Sequence, residues 1–310
     1  MRVMVLGGTA FVGRHLVFAA QAAGHEITLF NRGKSNPHLF PDVEKIVGDR
    51  TVDLSPLRGR TWDAVIDTSG YLPRAVKASV GALAGAHYTF ISTLSVYRDW
   101  GPLVDESAPL AAIADPAIEE VNGETYGPLK ALCEKAGPSL ILRPGLIVGP
   151  FDATGRFSYW PKRVRKGGPI LAPGRPQRHV QFIDARDLAE WAVRLIGQRV
   201  TGIFNVVTPP RALTMEQFLI ECGGGDLRWV GDEILLRHSV VPYMEMPMWI
   251  PRVDDQFSCQ RAIEAGITFR PLRRTLEDVM AWENAEPGVR KAGISPEREA
   301  LIIKESSFPG

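Results

Sequence analysis

The sequence predicts a doubly wound α/β fold: a parallel sheet with helices on both faces, and a smaller lobe interwoven on its C-terminal side. Three observations carry this prediction. Over the first 150 residues, short and nearly continuous apolar runs alternate with helical patterns, as expected of a sheet buried on both faces. A glycine-rich turn at residues 7–13 joins the first strand to the first helix. From Pro144 onward, prolines at 144, 150, 161, 169, 173 and 176 break the alternation, which then returns for one more strand–helix–strand unit.

Residues 3–6 read as the first strand and 14–23 as the first helix, ended by Gly24. Strands follow at 26–30, 44–47 and 64–67, then a helix at 75–83 and a fifth strand at 88–92. A helix at 126–136 and a strand at 140–142 close the first part. Beyond the prolines, 180–183 reads as strand, 185–195 as helix and 203–207 as strand. The last third carries helices near 215–221, 256–265, 276–284 and 296–304. There is no internal repeat and no low-complexity tract.

Composition narrows the function classes. Apolar residues make up 45% of the 310 and charged residues 23%, enough for a sizeable core. The 36 basic and 35 acidic residues leave a net charge of +1, so no global field draws the chain to nucleic acid or an anionic membrane. The three cysteines, Cys133, Cys222 and Cys259, form no CxxC pair, which argues against a disulfide framework or thiolate metal site and fits a reducing cytoplasm. No apolar run is long enough to span a membrane, and the glycine-containing start lacks a signal-peptide cleavage site. The six histidines show no metal-ligand spacing, so no metal is expected.

The first chemistry-bearing segment is Gly7-Gly8-Thr9-Ala10-Phe11-Val12-Gly13. Small residues between a strand and a helix N-terminus let backbone amides approach a pyrophosphate, which points to a Rossmann-type dinucleotide site. Ala10 stands where one variant of this loop has its middle glycine. At the end of the second strand the run Asn31-Arg32-Gly33-Lys34 has no carboxylate to repel a 2′-phosphate. Arg32 and Lys34 are suited to bind one, favouring NADP(H) over NAD(H), although a plain solvated loop reads similarly. Asp49, with Arg50 beside it, follows the third strand at the place of the adenine, and a plain turn fits there almost as well. Thr68, Ser69 and Gly70 follow the fourth strand as a wall for the cofactor.

The fifth strand ends in Ser92-Thr93-Leu94-Ser95, and the next helix opens with Tyr126-Gly127-Pro128-Leu129-Lys130. Tyr126 and Lys130 share a helical face. An ammonium beside a phenol lowers its pKa and prepares it for proton transfer. The spacing alone is common on exposed helices; its weight comes from sharing a sheet edge with the glycine loop and the hydroxyl-rich strand end.

Together GGTAFVG, FISTLSVY, the DES-AP segment at 105–109, YGPLK, LRPGLIVGP at 142–150 and QFIDARDLA at 181–189 resemble the extended, atypical short-chain dehydrogenases/reductases of the NAD-dependent epimerase/dehydratase family. The resemblance covers most of the chain. It implies NAD(P)-dependent hydride transfer between nicotinamide and a carbonyl or secondary alcohol. Thr93 would orient the substrate oxygen, Tyr126 act as acid or base, and Lys130 hold the nicotinamide ribose, with Pro144 and Gly145 beside the cofactor. It further implies residues 1–155 and 177–208 as the NAD(P)-binding domain and 156–176 with 209–310 as the substrate lobe, where Ser95, Leu146, Tyr159 and Arg178 would meet a small-molecule substrate. Homodimers formed through helices beside the sheet are frequent in that family.

Departures bear on the outcome. Leu94 and Ser95 stand where sugar dehydratases have Asp and Glu, and Leu146 where nucleotide-sugar enzymes have Asn. A sugar or nucleotide-sugar epimerase nevertheless stays as the alternative to a reductase or dehydrogenase. The GGTxFxG start, the NRG turn and the Asp-Thr-Ser-Gly segment also resemble a branch that includes chloroplast stem-loop RNA-binding proteins, which keeps a non-catalytic cofactor-binding or RNA-binding role as a second alternative. Residues 156–166 carry five basic residues interleaved with aromatics, a local feature suited to RNA. The reading preferred over it is a substrate-lobe helix whose aromatics face the pocket. Met244, Met246, Met248 and Trp249 read as a flap over a pocket, a subunit contact or core.

Overall fold

A computed structural model describes residues 1–251, 254, 256–288 and 290–306. Its strands are β1 (Arg2–Leu6), β2 (Glu26–Asn31), β3 (Glu44–Val47), β4 (Ala64–Asp67), β5 (His87–Ile91), β6 (Leu140–Pro144), β7 (Leu146–Val148), β8 (Pro169–Pro173), β9 (Phe182–Asp184), β10 (Gly202–Val206) and β11 (Asp226–Val230). Its helices are α1 (Phe11–Ala22), α2 (Pro73–Ala82), α3 (Tyr126–Glu134), α4 (Tyr159–Arg165), α5 (Ala185–Gly197), α6 (Met215–Glu221), α7 (Asp232–Arg237), α8 (Gln260–Glu264), α9 (Leu272–Ala285) and α10 (Pro296–Ser306).

Seven strands form one parallel sheet in the order β10-β6-β5-β4-β1-β2-β3. The chain leaves β1 toward β2 on one side and returns to β4 on the other, so the strand order reverses between β1 and β4. Ligands of such sheets collect at the carboxyl ends of the strands around this point. The inner strands are buried on both faces because α1 and α5 pack over one side while Leu57, Trp62 and Leu83 pack with Met4, Leu6, Val65 and Tyr88 on the other. This is the doubly wound fold that the alternating pattern predicts.

Gly7 and Gly8 have φ of 111° and 95°, values that L side chains rarely adopt. Gly13 is required for a different reason: a Cβ there would lie 2.7 Å from the Gly8 backbone nitrogen. Gly13→Ala is therefore expected to force α1 away from the loop and cost about 1–3 kcal/mol. Gly81→Ala, in α2 with nothing within 4 Å of the added carbon, should stabilise by about 0.5–1 kcal/mol. Urea denaturation of the two variants checks the contrast; equal effects would refute it.

The smaller lobe has its own core, built on Phe157, Trp160, Phe218 and Trp249. That core also takes Leu146, Val148, Val180 and Phe182, from segments read in the sequence as part of the sheet domain. In return Phe257, Ala262 and Ile267 pack against the sheet domain. Short elements escaped the sequence reading. β7 is three residues long and pairs with β9, while β8 is bounded by Pro169 and Pro173 and pairs with β11; proline is tolerated at strand ends but hides the strand signal. The helix expected at 256–265 is confined to α8, because residues 256–258 bond instead to the backbone of Gly101 and Val104. Among the described residues no helix is long and apolar enough to cross a membrane.

Candidate active site

The loop after β1 is held by asparagines. Asn31 Nδ2 donates to the Gly7 carbonyl (3.0 Å), its Oδ1 accepts from Gly33 N (2.9 Å), and Asn36 Nδ2 donates to the Thr9 carbonyl (2.9 Å). Thr9 is buried, and Ala10, in extended conformation, precedes α1. The backbone is thus shaped so that any side chain at Gly7 would fill the space: a Cβ there would meet Thr68 Oγ1 at 2.3 Å. Such a cradle beside a twelve-residue helix N-terminus fits a pyrophosphate. Arg32 and Lys34 are exposed at the tip after β2, and no carboxylate lies between Asn31 and Lys34. Asp49 accepts from Thr51 N and Oγ1, which holds its carboxyl below the usual range. Thr68 and Ser69 turn their hydroxyls onto the Leu6 carbonyl (2.9 and 3.3 Å), and Gly70 is packed so closely that a Cβ would meet Phe90 and Val76 at 2.7 Å.

A cavity of about 670 Å³ runs from Phe11 and Val12 at the loop, past Thr93, Ser95 and Tyr126, into the smaller lobe. Pro144, Gly145 and Leu146 form part of its wall. The Thr93 side chain accepts from Ser95 N (3.1 Å), and its hydroxyl acts to lower the pKa of the Tyr126 phenol that lines the same cavity. Gly127 makes the close approach of α3 possible, since a Cβ there would lie 2.1 Å from the Ser95 carbonyl. Below Thr93, Ser92 Oγ donates to Glu134 (2.6 Å), which holds Arg143 in a fully buried pair.

Several expectations are corrected. The lysine's hydrogen bonds go to the backbone and not to the phenol. Lys130 Nζ donates to the carbonyls of Gly70 (2.9 Å) and Ile91 (2.7 Å) and stands 4.0 Å from the Phe90 ring centre. Tyr126, the first residue of α3, opens onto the cleft, whereas Lys130 one turn later enters the helix–sheet interface. Burial accordingly raises the Tyr126 pKa, with Thr93 and the charge of Arg156 opposing, while it lowers that of Lys130 to about 8. Arg50, expected at the cofactor, turns inward to Asp67 (2.5 Å) and the Ala75 carbonyl, because the buried Asp67 carboxylate needs a cation.

Arg178 lines the cleft but is held by Asp232 (2.9 Å) and the Ile250 carbonyl. Tyr159 is absent from the cleft wall and packs on Trp160 and Gly293. Phe157 and Trp160 likewise face the lobe core rather than the pocket, since α4 must bury its apolar side. The methionine segment divides: Met246 and Trp249 are core, while Met248 lines the cleft. Trp100, Arg156, Gln181, Tyr243 and Phe257 also line it. Arg156 begins the basic–aromatic segment and Gln181 lies in the QFIDARDLA segment, but Trp100, Tyr243 and Phe257 stand where the sequence gives no sign that they converge on the cleft. Among the described residues no group of three or more His, Cys, Asp or Glu side chains is placed to hold a metal ion.

No protein-family model matches the chain. It is 27% identical over 228 residues to the chloroplast stem-loop binding protein of 41 kDa b of Arabidopsis thaliana, covering 66% of this chain and 58% of that protein. It is 28% identical over 246 residues to epimerase family protein SDR39U1 of Bos taurus, covering 70% of this chain and 78% of the bovine one. The chain thus spans under two thirds of the chloroplast protein's length.

Among solved structures, WbmH of Bordetella bronchiseptica in complex with NAD+ superposes with a TM-score of 0.64 at 16% identity, covering 93% of this chain and 99% of its own. Human SDR39U1 isoform 2 with NADPH gives 0.61 at 19%, covering 92% of this chain and all of that one. A Burkholderia cenocepacia protein assigned as an epimerase gives 0.70 at 19%, covering 92% and 98%. At these identities the likeness establishes the fold.

Proposed function

From a fold shared with the NAD(P)-binding epimerases and extended short-chain dehydrogenases/reductases, we propose that this protein is an NAD(P)-dependent oxidoreductase acting on a small molecule with a carbonyl or secondary alcohol. The observation that carries the reading is that Thr93 and Tyr126 line one cleft with Phe11 and Val12, the residues that follow the glycine cradle and open α1. Gly7, Thr9, Phe11 and Gly13 would hold the pyrophosphate, with Asp49 toward the adenine and Arg32 and Lys34 toward a 2′-phosphate. The bound nicotinamide would supply or accept hydride. Tyr126, kept protonated by burial, donates its proton to the substrate oxygen in the reducing direction, and Thr93 orients that oxygen by a second hydrogen bond. Lys130 supports the floor between Gly70 and Ile91.

Consumption of NADPH in proportion to a carbonyl substrate tests the reading. An epimerase is the second reading, favoured by the names of the bovine and human relatives; it would turn over with no net consumption. RNA binding, suggested by the chloroplast relative, is opposed at residues 156–166 by the pairing of Lys162 with Glu283 and Arg163 with Glu299. For the cofactor, Arg32→Ala should weaken NADPH by about tenfold and leave NADH nearly unchanged, the loss of a charge-assisted bond. Equal weakening of both, measured by fluorescence titration, would remove Arg32 from 2′-phosphate recognition.

A further inference from the structure

The cleft is lined by Arg156, Arg178 and His179 and, among the described residues, by no aspartate or glutamate. Two of these side chains already have partners: Arg178 is paired with Asp232, and His179 Nδ1 lies 3.5 Å from Asp254. Arg156 differs. Its Nε donates to Thr154 Oγ1 (3.2 Å), and Thr154 Oγ1 in turn donates to the buried Asp152 (2.7 Å). This relay orients the guanidinium, while its two terminal nitrogens have no hydrogen-bond or ion-pair partner among the described residues. The Arg156 group stands 5.8 Å from the Tyr243 ring centre, and its charge reaches the Tyr126 phenol. An oriented, half-buried cation with its fork free, in a cavity without carboxylates, is built to receive an oxyanion. In the same cavity Trp100, Leu146, Met248, Ile250 and Phe257 supply an apolar wall.

We propose that Arg156 is the specificity-determining residue of this cleft, and that the substrate carries a carboxylate or phosphate a few bonds from the reacting carbon, on an otherwise apolar body. This rests on the reading of Tyr126 as the reacting group, and it adds the class of compound that reaches it.

The test uses the full-length protein saturated with NADPH. The probes are 4-oxo acids with aromatic or branched side chains, their neutral methyl esters, and phosphate monoesters of hydroxy-aldehydes. Binding is read by tryptophan fluorescence and turnover by NADPH oxidation. The wild type should bind one anionic class at least about tenfold tighter than the matching esters; which class wins identifies the oxyanion. Arg156→Gln should abolish that preference while leaving NADPH affinity unchanged, and Arg156→Lys should restore part of it. Equal binding of acids, phosphates and esters by the wild type, or an undiminished preference in Arg156→Gln, overturns the proposal. Anion preference that depends on Arg156 without any NADPH oxidation or epimerisation would uphold the anion site and overturn the oxidoreductase reading instead.

Discussion

Tyr126→Phe is expected to lower turnover by roughly 10²–10⁴-fold, the usual contribution of a positioned proton donor, with cofactor affinity almost unchanged. The variant keeps the ring, whose centre lies 6.3 Å from that of Tyr71, and removes only the hydroxyl. Little stability should be lost, because Thr93 retains its bond with Ser95 N. The pH profile gives a second check. Burial raises the phenol above its ordinary value of 10.0, so the proton-donating form persists through neutral and mildly alkaline pH. The reductive rate should therefore show no fall assignable to Tyr126 below that value. Undiminished turnover in Tyr126→Phe would exclude it from the reaction, and a basic limb near neutrality that disappears in the variant would instead mean an activated phenolate.

Glu134→Ala is expected to destabilise the protein by about 3–5 kcal/mol, the cost of leaving a buried charge without its partner. Glu134 and Arg143 have side chains only 4% and 2% exposed and meet at 2.6 Å. Glu134 also accepts from Ser92 (2.6 Å), while Arg143 donates to Tyr97 (2.9 Å), whose hydroxyl donates to Asn205 (2.6 Å). The network joins β5, α3, β6 and β10 directly under Thr93. The double variant Glu134→Leu with Arg143→Met should recover most of the loss, since an apolar pair of similar volume does not leave an isolated charge. Chemical denaturation reads both. A loss under about 1 kcal/mol in the single variant would mean that Arg143 finds water or another partner.

Parts of the site were legible because each depends on chain-local rules. The glycine loop announces itself because strand, turn and helix are consecutive, and Gly13 must meet Gly8 five residues away. The Tyr126-x-x-x-Lys130 pair was legible as a spacing but not as a geometry. Helical periodicity places two residues on one side of a cylinder, yet the packed sheet decides that one opens to the cleft and the other drops between Gly70 and Ile91. Arg50 shows the same limit. Its neighbour Asp49 sits at a turn that sequence can identify, but the cation's destination was set by Asp67, seventeen residues on, whose burial demanded compensation.

By itself the sequence determined the parallel sheet, its succession of strands and helices, and the tight glycine loop between β1 and α1, since apolar runs, periodicity and glycine sterics act over a few residues. Only the tertiary structure decided which cations are neutralised and which stays free. Arg178 and Arg156 both stand in the cleft wall, and their difference lies in whether a carboxylate from a distant segment reaches them. Asp232 reaches Arg178 across 54 residues, while none among the described residues reaches the fork of Arg156. Ion pairing depends on separation in space, and the folded path of the chain sets that separation.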